Sequence, residues 1–333
     1  MEKLKATGLS KKEIVEAYRM IKLGRVLDER LWQLTRIGKS SFIISGQGSE
    51  VGQVAMALPF QHKEDMFLPY YRDMVASMIW GMSTKDILLG SLGKQEDPSS
   101  HGRQMPNHYG SVEHNIVSFG STVTTQYPLA TGVAYSAILN EKDYVTLVTT
   151  GEGSAAEGDF HEALNFAGIK KLPIVFVVEN NEYAISTPVE DEFSGKKLAD
   201  HALAYHIKGD RIDGRDFAAT YLAFKEAADY ARSGKGPVLI ELMVDRMTAH
   251  SSDDDQSIYR SDDELKALRD NDVIPVFEKQ LIEEGYLTEK ELDDILKEVT
   301  DEVNQATDEA EQSPDPDVSE LYKHVYAHTE GGR

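Results

Sequence analysis

The chain has 333 residues, a formal charge of −22 and no cysteine. That length buries a substantial core and suits one large α/β domain or two small ones. The acidity argues against nucleic acid and anionic membrane surfaces, whose recognition rests on Lys and Arg, and the lack of cysteine excludes disulfides and thiolate metal sites. No apolar run approaches the roughly 20 residues of a membrane-spanning helix. The opening MEKLKATGLSKKE has neither a signal-peptide apolar region nor an Arg/Ser-rich transit composition, so a cytoplasmic location is expected.

Ser10 and Glu13 form a capping-box pattern ahead of a long helix, with Ile14, Tyr18, Ile21, Leu27, Leu31 and Leu34 at helical spacing and Gly38 able to end it. SFIISGQGSE (41–50) is a short apolar run that breaks into a Gly/Ser loop, and Phe42 beside that loop reads as core. A helix of small residues is expected over 51–58. LPYYRD (68–73) opens a further helix, where Arg72 works against the helix dipole. That placement makes sense if the guanidinium serves an anion, with a surface salt bridge as the plainer reading. The stretch 94–110, KQEDPSSHGRQMPNHYG, is a long polar loop of a type that is often functional. Its His101 and His108 are suited to proton transfer, although structural histidines are the commoner case. VSFGSTVTTQYPLATGVAY (117–135) starts extended and becomes a helix whose small side chains allow close approach of another backbone or a ligand.

The most informative stretch covers 143–188. Residues 145–148 are apolar and β-branched and lead into Gly151-Glu152-Gly153. Phe160, Ala163, Leu164 and Ala167 mark an amphipathic helix, and 174–178 is a second buried strand ending at Glu179-Asn180-Asn181. Two such strands joined by a helix form a parallel βαβ unit. Glu152 and Asn181 follow the carboxyl ends of their strands, where open parallel sheets bind ligands. One carboxylate, one amide oxygen and free backbone carbonyls make an oxygen-only site that suits Mg²⁺, with phosphate oxygens and water completing its octahedron. Gly153 and a helix start at Ser154 add N–H donors for an anion. Taken singly, Gly-Glu-Gly is a tight turn and Asn-Asn a loop. Their meeting on adjacent strand ends carries the reading.

A third strand is expected near 205–208, a helix over 217–232 and a buried strand over 237–244. RMTAHSSDDDQSIYR (246–260) is too polar for a core and by itself reads as a solvated acidic loop. Charged amphipathic helices follow over 262–284 and 288–311, then a Ser-Pro-Asp-Pro linker from Ser313 and an apolar anchor over 321–326. The expected fold is α/β, a mostly parallel sheet flanked by helices with extra helices at both ends. It forms one domain over 1–312 with a tail over 313–333. Neither GxxxxGK[ST] nor a GxGxxG after a strand is present to support a P-loop or dinucleotide enzyme.

GEGSAAEGDFHEALNFA…ENNEYAIS, GRQMP-x-HYG and R-x-x-x-HSSDDD-x-x-x-YR resemble the α subunits of the branched-chain 2-oxo acid dehydrogenases, and the resemblance extends over nearly the whole chain. It implies the thiamin diphosphate-binding fold, with thiamine diphosphate and Mg²⁺ as cofactors. Glu152 and Asn181 would hold the metal through their side chains and Tyr183 through its carbonyl. Tyr71 and Arg72 would bind the diphosphate, with Gly151, Gly153 and Ser154 beside it. Ser121 and the backbone at Val123 would approach the aminopyrimidine ring, and Phe42 and Tyr70 would wall the substrate pocket. Thr125 and Gln126 resemble a monovalent cation site of mammalian members, in which Thr122 here replaces a Pro and Gly120 a Ser. His250 would lie over the diphosphate and assist acyl transfer, neutral near pH 7 with little shift of its pKa. Ser251 lies where mammalian members are phosphorylated.

In this family the glutamate that activates the cofactor belongs to a β subunit. The resemblance therefore implies half of an α₂β₂ heterotetramer serving a lipoylated acyltransferase core. The implied reaction is oxidative decarboxylation of small branched 2-oxo acids such as 3-methyl-2-oxobutanoate, with acyl transfer to lipoyllysine. A pyruvate or acetoin dehydrogenase α subunit is the enzymatic rival, opposed by the GEG motif and GRQMP-x-HYG. A catalytically silent assembly subunit is the other, opposed by the filled metal and diphosphate positions.

Overall fold

The computed structural model describes residues 3–322. Its strands in chain order are β1 (Met66–Leu68), β2 (Thr146–Gly151), β3 (Ile174–Asn180), β4 (Tyr183–Ala184), β5 (Thr187–Pro188), β6 (Lys208–Asp213) and β7 (Val238–Met243). Five of them form one sheet in the order β1-β2-β3-β7-β6, with every neighbouring pair parallel, and β4 and β5 make a separate antiparallel hairpin. The helices are α1 (Lys11–Arg36), α2 (Glu50–Ala57), α3 (Met74–Trp80), α4 (Thr84–Ser91), α5 (Gln126–Leu139), α6 (Gly158–Lys170), α7 (Val189–Glu192), α8 (His201–Ala204), α9 (Phe217–Arg232), α10 (Asp262–Asp270), α11 (Val273–Glu283) and α12 (Glu289–Gln312).

β2 and β3 are buried along their whole length because helices cover both faces of the sheet. Alternate side chains enter two cores. Val175, Val177, Ile240 and Leu242 pack toward α1, α2, α9 and the C-terminal helices. Ile174, Phe176, Val178 and Leu239 pack toward α5 and α6. The register sets Gly151 opposite Glu179, so β2 and β3 end together and place Glu152 and Asn181 side by side. At the other end of the chain, the Ser10–Glu13 capping box closes both ways and starts α1.

Several boundaries differ from those the sequence suggests. The strand expected near 205–208 is β6, Lys208–Asp213, because Tyr205 and Ile207 instead donate to the carbonyl of Ala202 and close α8. β6 is a sheet edge, and its charged composition is what an edge tolerates. The helix expected from Leu68 begins at Met74, since Leu68 ends the three-residue β1. Gly153–Ala156 is a 3₁₀ turn, so the helix expected at Ser154 starts at Gly158. The helix expected over 262–284 breaks at Asn271–Asp272, where the Asp272 carboxylate accepts from Ile274 N (3.1 Å) and pairs with Arg25 (2.6 Å). Ser313–Pro316 is no free linker: Gln95 N donates to Pro314 O (3.0 Å) and Lys94 pairs with Asp315 (2.8 Å). Leu321 and Tyr322 are exposed, contrary to an anchor there, and the rest of 321–326 lies outside the described residues.

Candidate active site

A cavity of about 490 Å³ opens at the carboxyl ends of β2 and β3. Of the residues singled out above, Phe42, Tyr70, Tyr71, Arg72, Ser121, Val123, Gly151, Glu152, Gly153, Ser154, Asn181, Tyr183 and His250 all line it. Thr125 and Gln126 do not. Thr125 Oγ1 donates to Thr122 O (2.8 Å) and Gln126 Nε2 to Thr149 O (2.9 Å).

The floor is the Glu152–Asn181 pair. Glu152 Oε2 accepts from the backbone N–H of Asn181 (3.1 Å) and from its Nδ2 (3.0 Å), while Asn181 Oδ1 is buried without a partner. Burial raises the Glu152 carboxyl to about 7, against the opposing pull of the Asn181 N–H. A carboxylate reluctant to ionise beside an orphaned amide oxygen is a donor set that a hard divalent cation would complete. The Tyr183 carbonyl accepts from Arg246 Nη1 (3.0 Å), which leaves it one lone pair. Among the described residues no three His, Cys, Asp or Glu side chains gather as a metal site, so an ion here needs ligand or water oxygens as well. A Cβ on Gly153 would stand 2.4 Å from Ala184 Cβ, so the β4 hairpin closes against this turn only because residue 153 is glycine.

Two buried cations stand beside the floor: Arg72 lines the cavity, and Arg246 lies behind the Tyr183 and Ile185 carbonyls. Arg72 and Arg246 are 4% and 1% exposed. Arg72 donates to Ser45 O (2.8 Å), His250 Nδ1 (3.0 Å) and His250 O (3.3 Å). Arg246 donates to Tyr183 O (3.0 Å), Ile185 O (2.9 Å) and the Tyr259 hydroxyl (2.9 Å). Neither has an ion pair among the described residues, so Arg72 is not the surface salt bridge of the plainer reading. Two buried guanidiniums held by neutral acceptors lack a contact ion pair, and an anion beside Arg72 would supply one. Burial, then Arg72 and Arg260, pull the Arg246 guanidinium down to about 10.

His250 is the second departure. Burial, then Arg72 and Arg246, lower its imidazole to about 3, so it is far from the slightly shifted histidine expected. Nδ1 accepts from Arg72, which assigns the neutral ring's proton to Nε2. Ser251, beside it, is buried, and its hydroxyl accepts from Asp253 N (3.3 Å).

The cavity also takes residues the sequence left without a role, among them Ile44, Met105, Pro106, Ile185 and Glu192. Arg246 opens the R-x-x-x-HSSDDD run, so its place in that motif was the available signal for it.

The dehydrogenase E1 component model matches residues 18–319. The chain belongs to that family. It is 43% identical over 322 residues to the 2-oxoisovalerate dehydrogenase subunit alpha of Bacillus subtilis (strain 168), covering 97% of this chain and 98% of the relative. The mitochondrial 2-oxoisovalerate dehydrogenase subunit alpha of Homo sapiens is 34% identical over 326 residues, 96% of this chain and 71% of the relative. A pyruvate dehydrogenase E1 component subunit alpha of Staphylococcus aureus is 35% identical over 291 residues, 87% and 75% respectively. These names favour the branched-chain reading over its rivals. As an E1 component α subunit, the chain implies thiamine diphosphate as cofactor and a β subunit as partner.

Proposed function

We propose that this chain is the α subunit of an α₂β₂ branched-chain 2-oxo acid dehydrogenase, converting 3-methyl-2-oxobutanoate and its homologues. Thiamine diphosphate and Mg²⁺ are its cofactors, and a lipoylated acyltransferase core receives the acyl group. The observation that carries this is the meeting of Arg72, which has no ion pair among the described residues, with the Glu152–Asn181 floor in one cavity, with Arg246 behind it on the Tyr183 carbonyl. A diphosphate with a divalent cation would neutralise Arg72 and complete the Glu152–Asn181 donor set.

Glu152, Asn181 Oδ1 and the Tyr183 carbonyl hold Mg²⁺. Arg72, backed by Tyr71 and Arg246, neutralises the diphosphate. His250 offers a neutral Nε2–H donor toward the same end. Bound thiamine diphosphate supplies the nucleophilic carbon and the electron sink for decarboxylation. Phe42, Ile44, Val123 and Ile185 give the cavity apolar walls that exclude water and suit a branched aliphatic side chain. Residues 1–312 form the working domain, in a cytoplasmic setting.

The test is calorimetric titration of thiamine diphosphate with Mg²⁺ into the co-expressed α and β chains. Binding that weakens strongly in R72A and N181A and in the isolated α chain is expected. Unchanged affinity in both variants would overturn the site.

A further inference from the structure

One imidazole grips both ends of the turn formed by Phe119, Gly120 and Ser121. The His108 ring stacks on Phe119 with centroids 4.8 Å apart. Its Nδ1 lies 3.0 Å from Met105 O, which can only accept, so Nδ1 carries the ring proton. In the neutral ring Nε2 is then an acceptor and receives a hydrogen bond from the Ser121 hydroxyl at 2.9 Å. The Ser121 oxygen, with its proton committed, is left with lone pairs to offer in the cavity that both residues line.

His108 is itself held. Asn107 accepts from Ile44 N (3.1 Å) and donates to the Tyr109 hydroxyl (2.8 Å), which donates to Tyr71 O (3.4 Å). These bonds tie the loop carrying His108 to two other walls of the same cavity. A Cβ on Gly120 would meet nothing within 4 Å, so the turn owes its position to the residues on either side.

We propose that His108 is a positioning residue for the ring end of the cofactor. It fixes the 119–121 turn and sets the polarity of Ser121, so that Ser121 Oγ accepts a hydrogen bond from an amino group on the bound heterocycle. This rests on the functional reading above and adds a residue to it.

The test uses the co-expressed α and β chains with Mg²⁺ and two probes, thiamine diphosphate and its analogue with the ring amine replaced by oxygen. Dissociation constants are read from quenching of intrinsic fluorescence. H108F keeps an aromatic ring against Phe119 but has no acceptor. Its affinity for thiamine diphosphate should fall roughly three- to tenfold, and its preference over the oxygen analogue should shrink by the same factor. H108Q, whose amide oxygen can accept from Ser121, should restore both, with the melting temperature of the unliganded complex unchanged throughout. Wild-type discrimination retained in H108F, or an equal loss for both probes, would overturn the proposal. Failure of the wild-type complex to bind either probe would instead overturn the functional reading on which it stands.

Discussion

His250 Nδ1 sits 3.0 Å from Arg72 Nη2 and accepts its hydrogen bond, although the two residues are 178 positions apart. Burial first, and then that contact, keep the imidazole neutral. Because its folded pKa, about 3, is below the ordinary histidine value, the contribution to stability is present above about 6.5. It is lost as pH falls from there toward 3. H250Q should therefore flatten the acid limb of the stability curve in that window. NMR of the unliganded protein should show a His250 ring that does not titrate between pH 5 and 8, and titration near 6.5 would contradict the contact.

Glu152 has the opposite linkage. Its folded pKa is raised to about 7, so its stability contribution is present at low pH and lost as pH rises through about 7. Without a divalent cation, E152Q should be more stable than wild type at pH 8 by about 3 kcal/mol, with the difference gone near pH 4. On the proposed function Mg²⁺ displaces that proton, so its apparent affinity should climb up to about tenfold per pH unit below 7 and level off above it. Thermal melts across pH with and without MgCl₂ check both statements.

The proposed role of Arg72, to stabilise a ligand at the expense of the unliganded fold, is tested by substitution. R72M keeps an unbranched apolar stem while removing a buried charge that has no ion pair. Its unliganded melting temperature should match or exceed that of wild type, while thiamine diphosphate binds roughly 10- to 100-fold more weakly. R72K should recover little of that loss, because a lysine lacks the guanidinium fork. R246A should lower the melting temperature as well, since the carbonyls of Tyr183 and Ile185 lose their donor. A clear drop in R72M stability would show that Arg72 serves the fold instead.

Beneath the cavity, Asp73 and Glu179 are fully buried, and Asp73 Oδ1 and Glu179 Oε1 have no other partner, as a proton shared between the two carboxyls requires. Burial drives both pKa values up, and Asp73 is the partner that holds the shared proton. Its other oxygen accepts from Tyr70 N (2.9 Å) and from the Thr149 hydroxyl, while Gln53 Nε2 and the Tyr70 hydroxyl each donate to Glu179 (3.1 Å). D73N replaces the shared proton with an amide donor and should cost less than about 1 kcal/mol at pH 7. D73A removes the acceptor of the Thr149 hydroxyl and leaves one buried Glu179 oxygen without a proton to share, and should cost about 3 kcal/mol. Denaturant unfolding separates them, and equal losses would contradict a protonated Asp73.

The sequence showed the βαβ unit because β2 and β3, buried on both faces, read as continuous apolar runs. β6 was displaced in that reading because a charged edge strand carries no such signal, and the three residues of β1 are too few for a period. In the site, Glu152 and Asn181 were legible because each belongs to a short local motif. The Asp73–Glu179 pair was not, because it depends on how β3 pairs with β2. Nor was the protonation of His250, set by its burial and then by a guanidinium from a distant turn. Arg72 stood out as a cation at an unfavourable place, but only the folded structure shows it buried with no ion pair among the described residues.

The most direct measurement is 2-oxo acid-dependent reduction of an artificial electron acceptor by the co-expressed α and β chains, with thiamine diphosphate and Mg²⁺. The expected result is a clear preference for 3-methyl-2-oxobutanoate over pyruvate, lost when the β subunit is omitted. Equal or greater rates with pyruvate would contradict the branched-chain assignment, and no reduction with any 2-oxo acid by a formed complex would contradict the enzyme itself.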